Sequence, residues 1–178
     1  MIAISNHHPD LFTSCSLLAQ TDKEGIIAIL QTLKKYKIKI ISSGGTYKTI
    51  KKLGFDCTDI SKYTGLKEML DGRVKTLHPK IHAGILNDRH NKKHKKEMIR
   101  EKFINIDLVI VNFYPFQKTV IEKKSPQKII ENIDIGGPSM VRSAAKNFKN
   151  VTVITDKKDY QILIREIEMN NGKTSLKF

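Results

Sequence analysis

Short apolar runs alternate with amphipathic segments along most of this 178-residue chain. The runs that have the length and apolar content of buried strands are residues 16–20, 39–42, 107–112 and 151–154. After the first run, apolar residues recur at the i, i+3, i+4, i+7 spacing of a helix, at Ile26, Ile29, Leu30 and Leu33. Strands that alternate with helices predict an α/β fold with three layers, in which helices flank a mostly parallel sheet.

Serine and proline mark where further helices begin. Ser125 and Pro126 are typical N-cap and first-turn residues, and Pro138 lies near the start of another helical pattern. Ser43 to Thr46 opens a short helix that continues through Ile50 and Leu53. The remaining helices are predicted at residues 127–132, 138–147 and 160–169.

The predicted elements fit one domain over residues 16–170, with an N-terminal arm at 1–15. Residues 171–178 are interpreted as the start of a linker to a further domain that this chain lacks. No apolar run reaches the roughly 18 residues of a membrane span, so no membrane partner is expected. Two cysteines without CxxC spacing and a start without signal-peptide order favour a cytoplasmic protein.

The net charge of +14 raises the question of an anionic partner. All but five of the 32 Lys and Arg residues are lysine, and Trp is absent, whereas nucleic-acid sites favour Arg and stacking aromatics. The longest basic stretch, residues 92–96, lies in a polar helix-like segment. We therefore expect no nucleic-acid partner. Solvated lysine-rich helix faces and a site for a small anionic ligand both remain open.

Two segments at predicted strand ends are suited to a phosphate. Ser43, Gly44, Gly45 and Thr46 follow a strand and open a helix, so glycine backbone, helix N–H groups and hydroxyls could approach an anion. Thr21, Asp22 and Lys23 follow the first strand, and Lys23 could supply a point charge. A plain tight turn and an ordinary helix-start lysine are the alternative interpretations.

The segment from Asp71 to Lys80 combines several functional side chains without strong periodicity. Arg73 offers a planar fork, Lys75 an ammonium and Thr76 a hydroxyl. The alternative is a solvated loop, although small turn residues would then be expected. Such segments often carry function when a rigid scaffold holds them.

Two other positions combine groups suited to hydrogen bonding or proton transfer. Asn112 and Tyr114 follow the clearest strand, where an amide and a phenol can contact a ligand. Asp134 precedes a glycine turn into a helix that carries Arg142 and Lys146 on one face. An acid and an amine that converge there could transfer protons, whereas a helix cap and solvated cations are the alternative. No metal site is expected, because His90 and His94 lack further ligands at recognisable spacing.

A set of motifs in fixed order resembles a known family. The motifs are Thr21-Asp22-Lys23-Glu24-Gly25, Ser43-Gly44-Gly45-Thr46, Tyr63-Thr64-Gly65, Asp71-Gly72-Arg73-Val74-Lys75-Thr76-Leu77-His78-Pro79-Lys80, Asn112-Phe113-Tyr114-Pro115-Phe116, Asp134-Ile135-Gly136-Gly137 and Arg142-Ser143-Ala144-Ala145-Lys146-Asn147. Together they resemble the IMP cyclohydrolase domain of the PurH family of bifunctional purine-biosynthesis proteins, over roughly residues 16–178.

That resemblance implies a methylglyoxal-synthase-like, Rossmann-like α/β fold. It also implies closure of 5-formamidoimidazole-4-carboxamide ribotide to IMP with loss of water, by a homodimer that needs no metal or organic cofactor. By matching motif, the implied substrate-binding residues are Thr21, Asp22, Lys23, Ser43, Gly44, Gly45, Thr46, Arg73, Val74, Thr76, Val111, Asn112, Ile135 and Gly136. The implied catalytic residues are Lys75, Tyr114, Asp134 and Lys146.

We hypothesise that Lys75 and Tyr114 stabilise the oxyanion formed when the carboxamide nitrogen attacks the formyl carbon. Lys146, oriented by Asp134, would move the nitrogen proton and assist departure of water. Transformylase activity is not expected from this chain. The alternatives are a non-catalytic nucleotide-sensing module on the same fold, a basic nucleic-acid-binding domain and a methylglyoxal synthase, the last disfavoured by the motif at residues 72–80.

Overall fold

The computed structural model describes residues 15–19, 25–113, 116–122 and 125–178. Its sheet consists of β1 (Cys15–Ala19), β2 (Lys39–Ser42), β3 (Thr58–Asp59), β4 (Leu108–Val111) and β5 (Thr152–Ile154). The strands lie in the order β3-β2-β1-β4-β5, and all four pairings are parallel. The predicted parallel α/β architecture is therefore confirmed, with β1 at the centre of the sheet.

Helices of the described residues cover both faces of this sheet. They are α1 (Ile26–Lys35), α2 (Gly44–Lys52), α3 (Ile60–Thr64), α4 (Pro79–Leu86), α5 (Lys92–Arg100), α6 (Phe116–Ile121), α7 (Pro126–Glu131), α8 (Gly136–Lys146) and α9 (Tyr160–Met169). A short 3-10 turn, Lys157–Asp159, leads into α9.

Two hydrophobic cores lie on the two faces of the sheet, and β4 contributes to both. Leu108 and Ile110 pack with residues of α1 and α9, whereas Val109 and Val111 pack with residues of α4 and α8. This alternation follows from the two-residue period of a strand, and it explains why β4 is apolar at every position. The sheet is thus the middle of three layers, as predicted.

The predicted elements with strong periodicity are confirmed. Ile26, Ile29, Leu30 and Leu33 of α1 are each at most 1% exposed. Ser125 caps α7 by accepting a hydrogen bond from the Lys128 amide, with Pro126 in the first turn. Helix α9 has the predicted bounds, and α8 begins two residues before the predicted start at Pro138.

Several short elements were not predicted: β3, α3, α4 and α6. Strand β3 has two residues and α3 has five, which is too short for a periodic signal. Helix α4 begins inside the segment that was interpreted as one continuous loop. His78 is its N-cap, because the Nδ1 atom accepts a hydrogen bond from the Lys80 amide at 3.0 Å.

The ends of the described chain contact the sheet. Cys15 is the first residue of β1, not the last residue of the predicted arm. The hydroxyls of Thr174 and Thr152 lie 2.5 Å apart, and the Ser175 amide donates to Glu166 Oε1. The linker interpretation of residues 171–178 stays a prediction. In the described ranges, no helix combines the length and apolar character needed to cross a membrane.

Candidate active site at the carboxyl edge of the sheet

The loop between β2 and α2 forms one wall of the candidate site. Ser43 is extended, and Gly44 has a φ of +54°, which an L side chain rarely adopts. The first turn of α2 follows directly, so its N-terminal amides and partial positive charge face the edge where β2 ends. Thr46 is buried while Gly45 is exposed. This geometry suits close approach of an anion to the backbone.

A tight hairpin carries Arg73 and Lys75 to the same edge. Met69 and Val74 form an isolated antiparallel bridge through two backbone hydrogen bonds of 3.0 and 3.2 Å. The turn between them has positive φ at three consecutive residues, 70, 71 and 72. Two of these are not glycine, so the turn stores backbone strain of a kind that clusters at functional sites.

Lys75 is held between two glycine-containing loops. Its Nζ atom lies 3.5 Å from the position that a Cβ atom would occupy on Gly44. The corresponding distance to the Cβ position on Gly72 is also 3.5 Å. Glu68 Oε2 lies 3.8 Å from the same ammonium. The side chain is 31% exposed, so it is partly shielded yet can reach a ligand. The structure thereby brings the β2–α2 loop and the Lys75 segment together.

Arg73 is engaged with a carboxylate of α7. Its Nη2 atom pairs with Glu131 Oε1, and both side chains are largely exposed. The two residues are separated by 58 positions along the chain. Exposed pairs of this kind contribute at most about 1 kcal/mol, so a stronger anion could displace Glu131.

The start of α8 closes another side of the site. Asp134 Oδ1 accepts a hydrogen bond from the Gly137 amide at 2.9 Å, which fixes the carboxylate at the helix N-terminus. A Cβ on Gly136 would overlap the Thr76 hydroxyl, and one on Gly137 would lie 3.0 Å from Val111 Cγ1. Thr76 is buried in this contact. Thr76, Val111, Asp134 and Gly136 are therefore in one cluster, with Ile135 exposed beside them.

Asn112 joins the end of β4 to the start of α9. Its Nδ2 atom donates to the Tyr160 hydroxyl at 2.8 Å. The Tyr160 ring also packs against Gly25, 3.4 Å from the position of a Cβ there. Gly25 directly precedes α1, so Tyr160 joins the start of α1 to Asn112 at the end of β4.

Lys146 is not brought to this cluster within one chain. It is exposed at the last residue of α8, whereas Asp134 precedes the first. With a rise of about 1.5 Å per residue, the helix separates its two ends by about 15 Å. The predicted orientation of Lys146 by Asp134 is therefore not observed in the described part of a single chain. Arg142 is exposed on the same helix.

Four of the predicted residues cannot be located. Thr21, Asp22, Lys23 and Tyr114 lie outside the described residues. Among the described residues, no group of three or more His, Cys, Asp or Glu side chains is placed to hold a metal ion. His94 Nδ1 instead accepts a hydrogen bond from the Asp88 amide at 3.0 Å.

The structure also identifies neighbours that sequence reasoning missed: Glu68, His82, Glu131, Ser143 and Tyr160. His82 Nδ1 lies 3.0 Å from Ser143 Oγ. Glu131 and Tyr160 contact residues more than 45 positions away, so no local pattern could reveal them. His82 had a weak signal, because it stands four residues after His78 and beside the apolar Ile81 and Ile85.

Comparison with known proteins gives one matching family and several similar sequences. The MGS-like domain family matches residues 25–139. A protein of Leptospira biflexa named bifunctional purine biosynthesis protein PurH is 51% identical over 161 residues, which cover 90% of this chain and 31% of that protein. The protein of the same name from Clostridium botulinum is 53% identical over 157 residues, 88% of this chain and 31% of its own length. The predicted resemblance to the PurH family is confirmed.

A solved structure is similar over most of the chain. The crystal structure of ForH superposes with a TM-score of 0.78 at 31% sequence identity, over 89% of this chain and 80% of that one. This agreement confirms the three-layer α/β fold. The chain spans 31% of the length of the curated relatives described above.

Proposed function

This chain belongs to the MGS-like domain family, and on that premise we propose that it is an IMP cyclohydrolase. The proposed reaction closes 5-formamidoimidazole-4-carboxamide ribotide to IMP with loss of water, as a step of purine biosynthesis. The observation that carries the proposal is that four segments far apart in sequence meet at one edge of the sheet. They are residues 43–46, 73–76, 111–112 and 134–136.

These segments supply what a nucleotide needs. The N-termini of α2 and α8 favour negative charge, and Arg73 and Lys75 add cations beside them. We assign the phosphate to the loop at residues 43–46 together with Thr21, Asp22 and Lys23. We assign the base to Asn112, Asp134 and Ile135, because amide and carboxylate groups can pair with a carboxamide or purine edge.

Both reacting groups belong to one molecule, so holding them in contact removes much of the barrier. The developing negative charge is on the formyl oxygen, and we assign its stabilisation to Lys75 and Tyr114. Lys75 suits this role because Glu68 and two glycine backbones restrict its ammonium. Asp134 is held by the Gly137 amide at the helix start and would accept or return the nitrogen proton.

The role of Lys146 requires a second copy of the chain, because the length of α8, about 15 Å between its ends, separates Lys146 from Asp134 in one copy. We propose a homodimer in the cytoplasm, in which the partner brings Lys146 to the site. Exposed apolar side chains in residues 66–77 and 113–135 support this, since such a concentration is typical of an interface. They include Leu66, Met69, Leu70, Ile130, Ile133 and Ile135.

The experiment is to mix the purified chain with the formylated ribotide, in the presence of a metal chelator, and follow purine absorbance. We expect turnover by the wild type and a loss of about 10²–10³-fold in kcat for Lys75→Ala. Lys146→Ala should lower kcat strongly with a smaller effect on IMP binding. Lys93→Ala on the exposed face of α5 is the matched control and should behave as wild type. Neither turnover nor IMP binding by the wild type would refute the proposal.

A nucleotide-sensing module is the second candidate, because the exposed position of Lys146 leaves one described copy without that amine near Asp134. A sensing module would bind IMP without turnover at any protein concentration. Wild-type turnover that disappears in Lys146→Ala would exclude it.

A further inference from the structure

His82 connects three elements that meet behind the candidate site. It lies on α4, and its Nδ1 atom is 3.0 Å from the Ser143 hydroxyl of α8. The backbone of Thr76 also faces the imidazole. Thr76 follows Lys75 directly, and its hydroxyl packs against Gly136 at the start of α8. His82 therefore contacts the loop that carries Lys75 and the helix whose start holds Asp134.

The Ser143 hydroxyl links the ring to the backbone of α8. The Ser143 hydroxyl donates its one proton to the Ser139 carbonyl at 2.9 Å. Its oxygen also lies 3.0 Å from His82 Nδ1, within hydrogen-bond distance of the ring. The other ring nitrogen, Nε2, is shielded and has no hydrogen-bond partner among the described residues.

Burial lowers the pKa of His82, and the Thr76 backbone that faces the ring partly opposes this. The neutral ring is thus the expected form near neutral pH. An unsatisfied buried nitrogen costs about 1–3 kcal/mol. Such a group in a native fold calls for an explanation, and a functional constraint is one.

We propose that His82 is a positioning residue, which fixes Lys75 and Thr76 relative to the start of α8 through Ser143 and the Thr76 backbone. This inference rests on the proposed cyclohydrolase function, because Lys75 is assigned there to the oxyanion. Removing the imidazole would let the Lys75 segment move relative to Asp134. A displacement of about 1 Å at a reacting group can cost on the order of 10²-fold in rate.

The test compares His82→Ala, His82→Asn and Ser143→Ala in the full chain. Ile85→Val is the control, since Ile85 is buried in the same α4–α8 contact but forms no polar link to the loop. We expect kcat at least about tenfold lower in His82→Ala, with the Kd for IMP within about threefold of wild type, because Lys75 acts on the transition state. His82→Asn should recover part of the loss, because its amide nitrogen lies near the position of Nδ1.

The double variant with His82→Ala and Ser143→Ala should be no slower than His82→Ala alone, as expected for two partners of one link. A kcat for folded His82→Ala equal to that of Ile85→Val would overturn the inference. Fully additive losses in the double variant would also overturn it. If His82→Ala does not fold, Ser143→Ala and His82→Asn provide the test. A lower kcat with a nearly unchanged Kd for IMP would support the inference, and an unchanged kcat would overturn it. Wild type without turnover would instead refute the proposed function, and the positioning role with it.

Discussion

Gly137 lies at the start of α8, where a substitution with alanine should affect turnover more than it affects the free energy of unfolding. A Cβ at this position would lie 2.5 Å from Asp134 Oδ2 and 3.0 Å from Val111 Cγ1. Val111 is 1% exposed and fixed in β4, so it cannot move away. The Asp134 carboxylate is the flexible group, and it must rotate out of its hydrogen bond with the Gly137 amide.

The magnitude follows from the terms that change in Gly137→Ala. Loss of a hydrogen bond to a charged group costs about 1.5–3 kcal/mol. Alanine in a helix is favoured over glycine by up to about 1 kcal/mol. The free energy of unfolding should therefore fall by only about 0.5–2 kcal/mol. Turnover should fall more, by about 10–100-fold, because Asp134 would leave the position from which it acts on the nitrogen proton.

Gly172→Ala is the control for a stability effect far from the site. Gly172 has a φ of +87°, and a Cβ there would lie 3.1 Å from the Tyr36 side chain. Alanine at such a φ destabilises by more than about 1 kcal/mol. We expect Gly172→Ala to lower the free energy of unfolding, measured in urea, by at least as much as Gly137→Ala does. Its kcat should stay at the wild-type value at a temperature where both variants are folded. Wild-type turnover in folded Gly137→Ala would refute the assignment of Asp134.

Two further predictions concern single groups. Burial raises the pKa of the Cys15 thiol, so above pH 9 the unfolded chain loses a proton that the folded chain keeps. Cys15 should then contribute about 1 kcal/mol to the fall in the free energy of unfolding between pH 9 and 10, and chemical unfolding of Cys15→Ala should show a fall smaller by that amount. Cys57, whose thiol pKa burial raises to about 12, contributes its own share in both chains. If Arg73 binds nucleotide, Glu131→Gln should tighten IMP binding by up to about fivefold at low salt and Arg73→Ala should weaken it, as titration calorimetry would show. Unchanged affinity in both variants would remove Arg73 from the site.

The parts of the fold with long periodic patterns could be predicted from the sequence. Helix α1 follows from four apolar residues on one face, and α7 from the Ser125–Pro126 pair at its start. Helix α4 could not be predicted in the same way. It has eight residues, and its first turn uses a histidine cap within a motif that resembles a functional loop. Residues 71–80 therefore divide into a hairpin at the site and the start of a helix.

Which strand ends meet could also be predicted, because all carboxyl ends of a parallel sheet lie at one edge. This placed Ser43 and Asn112 at the same edge of the sheet. The partners of individual side chains could not be predicted. Arg73 with Glu131, His82 with Ser143 and Asn112 with Tyr160 join residues that are 48 to 61 positions apart. Such pairs depend on how the helices pack on the sheet, which no local spacing encodes.

Helix α8 shows why closeness along the chain is a poor guide to closeness in the site. Asp134 and Lys146 are only 12 positions apart, yet ten residues of helix rise separate the ends of α8. A proton-transfer pair needs contact at about 3 Å, or through one water. His82, 61 positions before Ser143, meets that distance, and Lys146 does not meet it with its own Asp134. If turnover depends on Lys146, it therefore also depends on a second copy of the chain. If turnover depends on His82, one chain is enough, because His82 reaches Ser143 within it.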